Sequence, residues 1–123
     1  MRTVSMQFGQ PPGSWIEVEV VSRPEELRRG LSGRPTLAAD RGMLFDMGGE
    51  ADHHFHMQGV AFPLDLVFLS GDWRILGIAH QAPPGYVGTI SLGTPSRYVV
   101  ELPGGWAKRH GVRAGDSGMP VVA

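Results

Sequence analysis

The sequence predicts a mainly β domain with one or two short helices, and three observations carry that expectation. Its 18 glycines and 10 prolines exceed average usage and are scattered along 123 residues, so they punctuate short elements and form no low-complexity block. Apolar residues alternate with polar ones in some runs and follow one another in others, the patterns of half-buried and fully buried strands. Two apolar runs within residues 62–80 are separated by Ser70, Gly71 and Asp72, the signature of a β-hairpin.

Taken in order, a Gly/Pro-rich opening at 9–13 leads into "WIEVEVV", where Ile16, Val18 and Val20 alternate with Trp15, Glu17 and Glu19, a strand with one aliphatic face. "SRPEELRRGL" carries Ser22 and Glu25 at capping-box spacing, acidic residues in its first turn, basic ones in its last and Gly30 as a stop. It predicts a helix of about two turns. Residues 33–42 read as a loop, "GMLFDM" at 42–47 as a buried strand, "GGEAD" at 48–52 as a turn and "HHFHM" as a further strand. After the hairpin, "QAPPGYVGTISLGTPS" at 81–96 is a loop long enough to suggest function or partner contact. "RYVVEL" at 97–102 reads as a strand, "GGWAKRHG" at 104–111 as a short helix closed by Gly111, and the last residues as a turn and an edge strand carrying Pro120. No repeat or linker divides the chain, so residues 1–123 are expected to form one domain.

Composition narrows the function classes. Eleven basic against twelve acidic side chains leave a net charge of -1, which gives no electrostatic reason to expect nucleic acid or an anionic membrane as partner. Cysteine is absent, which excludes disulfides, a thiolate nucleophile and Cys-based zinc sites. The opening residues lack the apolar core of a signal peptide, and no apolar run approaches a membrane span, so a soluble, cytoplasmic or virion-associated protein is expected. There is no G-x-S-x-G elbow, phosphate loop, Rossmann fingerprint or HExxH motif. "GDSG" near the end is too short a string to indicate a protease in a chain lacking the partner motifs.

The order of these segments resembles a known family. Gly42-Met43-Leu44-Phe45, Met57, Pro63-Leu64-Asp65 with Phe68, and Arg97-Tyr98 with Glu101-Leu102-Pro103 match the prokaryotic family called domain of unknown function 192 (DUF192), over about residues 15–118. The resemblance implies a compact, barrel-like, mainly β domain with short flanking helices and no established activity or catalytic residues. Where family members commonly carry a Trp-Met-Lys-Asn-Thr-like run, this chain has His56, Met57, Gln58, Gly59 and Val60. It also lacks the cysteines that many members carry after the paired prolines.

Several residues are candidates for a site. Asp52, His53, His54 and His56 are crowded into five positions, and i, i+2 spacing in a strand would let His54 and His56 reach one metal ion. A third ligand could come from Asp65, Asp72 or His80, although no spacing ties them to the pair. The competing account makes His56 a packing residue with hydrogen-bonded nitrogens, and no metal or other cofactor is expected. Asp65 lies inside the apolar run "PLDLVFL" and must be paired or hydrogen-bonded. It is either a ligand or general base, or a brace that accepts backbone N–H bonds or pairs with Arg34 or Arg97. Arg97 could instead hold a ligand's carboxylate. Trp73 and Trp106 read as packing residues and Tyr86 as an exposed contact.

The leading expectation is a non-enzymatic binding or assembly module presenting the 81–96 loop and the 52–60 segment to protein partners. Arg34, Met57, Asp65, Tyr86 and Arg97 are its candidate contact residues. An accessory or decoration subunit of a larger assembly such as a phage particle, its chain ends held by neighbours, would fit. The alternative is a small-molecule-binding protein or metal-dependent hydrolase with a pocket around Asp65, Arg34, Arg97, His54 and His56.

Overall fold

A computed structural model describes residues 2–9 and 13–121. Met1, Val122 and Ala123, on which the expectation of held chain ends bears, and residues 10–12 of the opening stretch lie outside the described residues.

Nine strands and two short helices follow one another along the described residues: β1 (Thr3–Phe8), β2 (Ser14–Val21), α1 (Pro24–Arg29), β3 (Arg41–Ala51), β4 (Phe55–His56), β5 (Leu64–Leu69), β6 (Ile75–Ala82), β7 (Thr89–Ile90), β8 (Ser96–Pro103), α2 (Trp106–Arg109) and β9 (Gly118–Val121). Seven strands form one sheet in the order β6-β5-β8-β3-β2-β1-β9, and β4 pairs with β7 in a separate two-stranded ribbon. Every neighbour pair in the large sheet is antiparallel except β2 with β3, whose parallel pairing is made possible by the crossover through α1. The sheet curls until its edges meet at one end. Arg74 bridges to Ser117, the Ile75 N–H donates to the Asp116 carbonyl, and the Gly118 N–H donates to the Trp73 carbonyl. The result is a half-barrel, closed at one end by the segment that leads into β9.

Both faces of this sheet are covered. Along β5, Asp65, Val67 and Leu69 point inward, while Leu64, Leu66 and Phe68 point outward, and all six are buried. The inner face packs Met6, Phe8, Ile16, Val18, Leu44, Val100 and Leu102 against Trp106 and Val112. The outer face packs Met43, Phe45, Phe68 and Val99 against Leu31 after α1 and against Phe55, Met57 and Val60. Phe45, Phe55 and Phe68 meet edge to face there. Strands buried on both sides read as continuous apolar runs, which is why "LDLVFL" and "YVVEL" show no alternation.

Several expectations change in detail. Residues 3–8 form a strand, β1, in a stretch for which the sequence predicts no element. The N-terminal capping of α1 is shifted by one residue: Glu26, not Glu25, accepts from the Ser22 and Arg23 N–H groups, and these bonds hold its carboxyl below the ordinary value. The turn expected at 48–52 is an irregular stretch within β3, where the register to β8 shifts between Asp46 and Ala51. Only Phe55 and His56 of "HHFHM" are strand, and the 81–96 loop is interrupted by β7. The hairpin is present as β5 and β6, and Pro120 lies in the edge strand β9.

Candidate functional site

The outer-face layer carries a hollow beside α1. Between the end of α1 and β4 lies a cavity of about 390 Å³, lined by Leu27, Leu31, Phe45, Met47, Phe55 and Val60, with Arg28, Arg29, His54 and His56 around it and Glu101 reaching in from the sheet. Its size falls in the range of small-molecule sites, and its walls are mainly apolar with few polar groups, as such sites are.

The roof is stitched down by hydrogen bonds. Ser32 Oγ donates to the Gln58 carbonyl at 3.2 Å, and the Gly33 N–H donates to the Gly59 carbonyl at 2.9 Å. His56 clasps β4 to α1 with both ring nitrogens: the Gln58 N–H donates to Nδ1 at 3.2 Å, which leaves Nε2 as the protonated nitrogen facing the Arg28 carbonyl at 3.3 Å. Gly59 has φ +75, and a Cβ there would lie 2.2 Å from Ser32 Oγ, so a glycine lets the two segments approach.

Glu101 is the unusual group. It stands on β8 between Met43 of β3 and Leu66 of β5, and it is 3% exposed. No hydrogen bond or ion pair to its carboxyl occurs among the described residues, and burial alone pushes its pKa up to about 8. The only buried side-chain polar atom fully sealed without a partner among the described residues is Ser96 Oγ. The Glu101 oxygens therefore open onto the cavity, beneath Gly30, where Oε1 lies 3.8 Å from the position a Cβ would occupy. At neutral pH the group is a carboxylic acid, a hydrogen-bond donor facing an apolar hollow.

The candidate residues named from the sequence are distributed elsewhere. Asp65 is fully buried on the inner face, where its carboxylate accepts from the backbone N–H groups of Gln81 at 2.8 Å, Gly105 at 3.0 Å and Ala107 at 2.9 Å. It anchors the turn into α2 to the end of β6, and neither Arg34 nor Arg97 touches it. Arg34 makes a bidentate pair with Glu19, at 2.6 and 3.0 Å, on a partly exposed edge. Arg97 bonds Asp46, holding that carboxyl below its ordinary value, and its guanidinium lies 4.5 Å from the Tyr98 ring centroid. The pocket expected around Asp65, Arg34 and Arg97 is thus not formed, because each of the three is committed to its own internal partner.

The histidines do not converge either. His54 Nε2 lies 3.5 Å from Asp52, His53 Nε2 faces the Gly49 carbonyl, and His56 is occupied as described. Among the described residues no group of three or more His, Cys, Asp or Glu side chains is placed to hold a metal ion. Met57 is core, although its carbonyl accepts from Val60 and Gly85, and Tyr86 is 45% exposed beside Val87, which is 85% exposed. His54 and His56 do border the cavity. Glu101 escaped notice as a site residue, although "YVVEL" shows the same sign as "PLDLVFL", a carboxylate inside an apolar run.

Comparison with known proteins places the molecule. The chain matches a structure from Sinorhizobium meliloti 1021, described as a "putative transcription regulator", with 31% identity over 97% of this chain and 94% of that one and a TM-score of 0.91. It also matches a protein of unknown function from Novosphingobium aromaticivorans DSM 12444, with 28% identity over 95% of this chain and 84% of that one and a TM-score of 0.87. No curated protein matches. The family model of DUF192, described as "Uncharacterized ACR", matches residues 6–118, and the chain belongs to that family.

Proposed function

We propose that this chain is a non-enzymatic binding module whose outer-face cavity receives a small, mainly apolar molecule. The observation that carries this reading is Glu101. Holding a buried carboxyl without a partner lowers stability, and such a group opening into a hollow is a standard mark of a site. What favours binding over turnover is the set of lining groups: a mainly apolar wall, an engaged His56, and no Ser, Thr, Cys or Lys to serve as nucleophile.

A fragment library followed by two-dimensional amide NMR tests it. Binders are expected to shift residues 27–31, 45–47, 54–60 and 101, and a Val60→Trp variant that fills the hollow is expected to abolish those shifts. Shifts confined to other surfaces would overturn the reading.

A second reading, that of an assembly or accessory subunit such as a phage decoration protein, is favoured by the adjacent exposure of Tyr86 and Val87 at the tip of the 83–88 loop. Native mass spectrometry over a concentration series tests it. A discrete oligomer lost in a Tyr86→Ser, Val87→Ser variant supports assembly, and a concentration-independent monomer argues against self-assembly. A nucleic-acid role, as the description of the Sinorhizobium meliloti protein suggests for that protein, would need a clustered basic face. Here Arg34 is paired with Glu19, and Arg28 and Arg29 share α1 with Glu25 and Glu26. No helix among the described residues is long and apolar enough to cross a membrane.

A further inference from the structure

We infer that the cavity selects small apolar molecules ending in a carboxylate or similar anionic acceptor, with the head beside Glu101 and the body against the apolar lining. This deepens the binding reading above and rests on it. The argument is one of complementarity. Glu101 Oε1 lies beneath Gly30, where the Phe45 ring also packs, and Arg28 and Arg29 line the same cavity. Apart from these residues and His54 and His56, the lining is aromatic and aliphatic.

The charged and titratable side chains that line the cavity with Glu101 are Arg28 and Arg29 from α1, His54 from the segment before β4 and His56 from β4. Its neighbours within the sheet are Met43 and Leu66. No second acidic residue lines the cavity; Glu19 and Glu26 line the adjoining hollow across Arg29. An ammonium group entering would meet a lining that carries two arginines and a carboxyl that must first lose its proton. A carboxylate meets those cations and accepts the Glu101 O–H, a charge-assisted bond in a desolvated setting. Binding of an anion then requires Glu101 to keep its proton, so affinity falls as pH rises through the range in which Glu101 ionises.

The test uses three probes of equal length, hexanoate, hexanamide and hexylammonium, titrated by calorimetry and amide NMR at pH 6.5 and 9.5. Hexanoate is expected to bind more tightly than hexylammonium by at least about tenfold at pH 6.5, and to weaken by roughly tenfold or more at pH 9.5, since ionising Glu101 there removes the donor. Glu101→Gln, which keeps a donor that cannot ionise, is expected to bind hexanoate with little change between the two pH values. Tighter binding of hexylammonium, or equal hexanoate affinity at both pH values in the wild type, would overturn the inference. Hexanamide binding in the cavity as well as hexanoate would do so too, while leaving the binding reading intact. If no probe shifts any cavity residue at 10 mM, about ten times the dissociation constant of a weak, millimolar site, both readings fall.

Discussion

Asp65 and Glu101 are two buried carboxyl groups on adjacent strands of the same sheet, and they have opposite fates. In the β5–β8 register Asp65 faces Leu102 and Glu101 faces Leu66, so the two side chains stand one step apart on opposite faces. Asp65 receives three backbone N–H groups and seals the inner face, whereas Glu101 receives none and opens into the outer cavity. Burial alone therefore does not mark function. A carboxylate whose acceptor capacity is filled by the main chain is architecture, and one left unsatisfied beside empty space is available to a ligand.

The largest effect is expected on the satisfied side. Asp65→Ala strands two buried donors, Gly105 and Ala107, and a partly buried one, Gln81, and at about 1–3 kcal/mol for each unpaired group the loss should be on the order of 4 kcal/mol, read from urea unfolding. A loss below about 1 kcal/mol would mean that the brace is dispensable and the contrast is drawn too sharply.

Glu101 should behave in the reverse sense. Its folded pKa, about 8, lies above the ordinary 4.5, so the folded state holds a proton that the unfolded chain has released between those values. The associated stability is fully present below about pH 4.5 and is lost as pH rises to about 8, at about 1.4 kcal/mol per pH unit within that window. Glu101→Gln removes this slope. The variant should exceed the wild type in stability by more at pH 8 than at pH 5, with a difference of a few kcal/mol, and parallel stability curves would contradict the assignment.

Smaller effects belong to the roof and the rim. Gly59→Ala forces a side chain into a positive-φ position under Ser32 and should lower stability by about 1–2 kcal/mol, with amide exchange quickening in residues 30–33 before it does in β5 or β8. Arg34→Ala breaks a partly exposed pair and should change stability by less than about 1 kcal/mol, an effect that salt diminishes further.

Much of the scaffold was legible because its signals are local. The β5–β6 hairpin follows from two apolar runs and a Ser-Gly-Asp turn, and β2 from strict alternation. The same alternation is present in "TVSMQF", where Val4, Met6 and Phe8 alternate with Thr3, Ser5 and Gln7, but a short run next to a Gly/Pro-rich stretch is a weaker signal than β2. The site was less legible for a physical reason. An acidic residue in an apolar run signals a buried carboxyl, but whether backbone donors or a cavity meet it depends on contacts far along the chain. Gly105 and Ala107 reach Asp65 across about 40 residues, and Gly30 covers Glu101 from an even greater distance in sequence. The crowded histidines admit a metal pair beside the packing account, and their rings turn to three different partners, because only two residues of that segment are held as strand.

The most direct measurement is the carboxyl-carbon NMR titration of Glu101 in the folded, ligand-free protein, with the resonance assigned by Glu101→Gln. A midpoint near 8 is predicted, with hexanoate moving it upward. A midpoint near the ordinary 4.5 would show that the carboxyl is solvated or paired in solution, and the account of the cavity would be wrong.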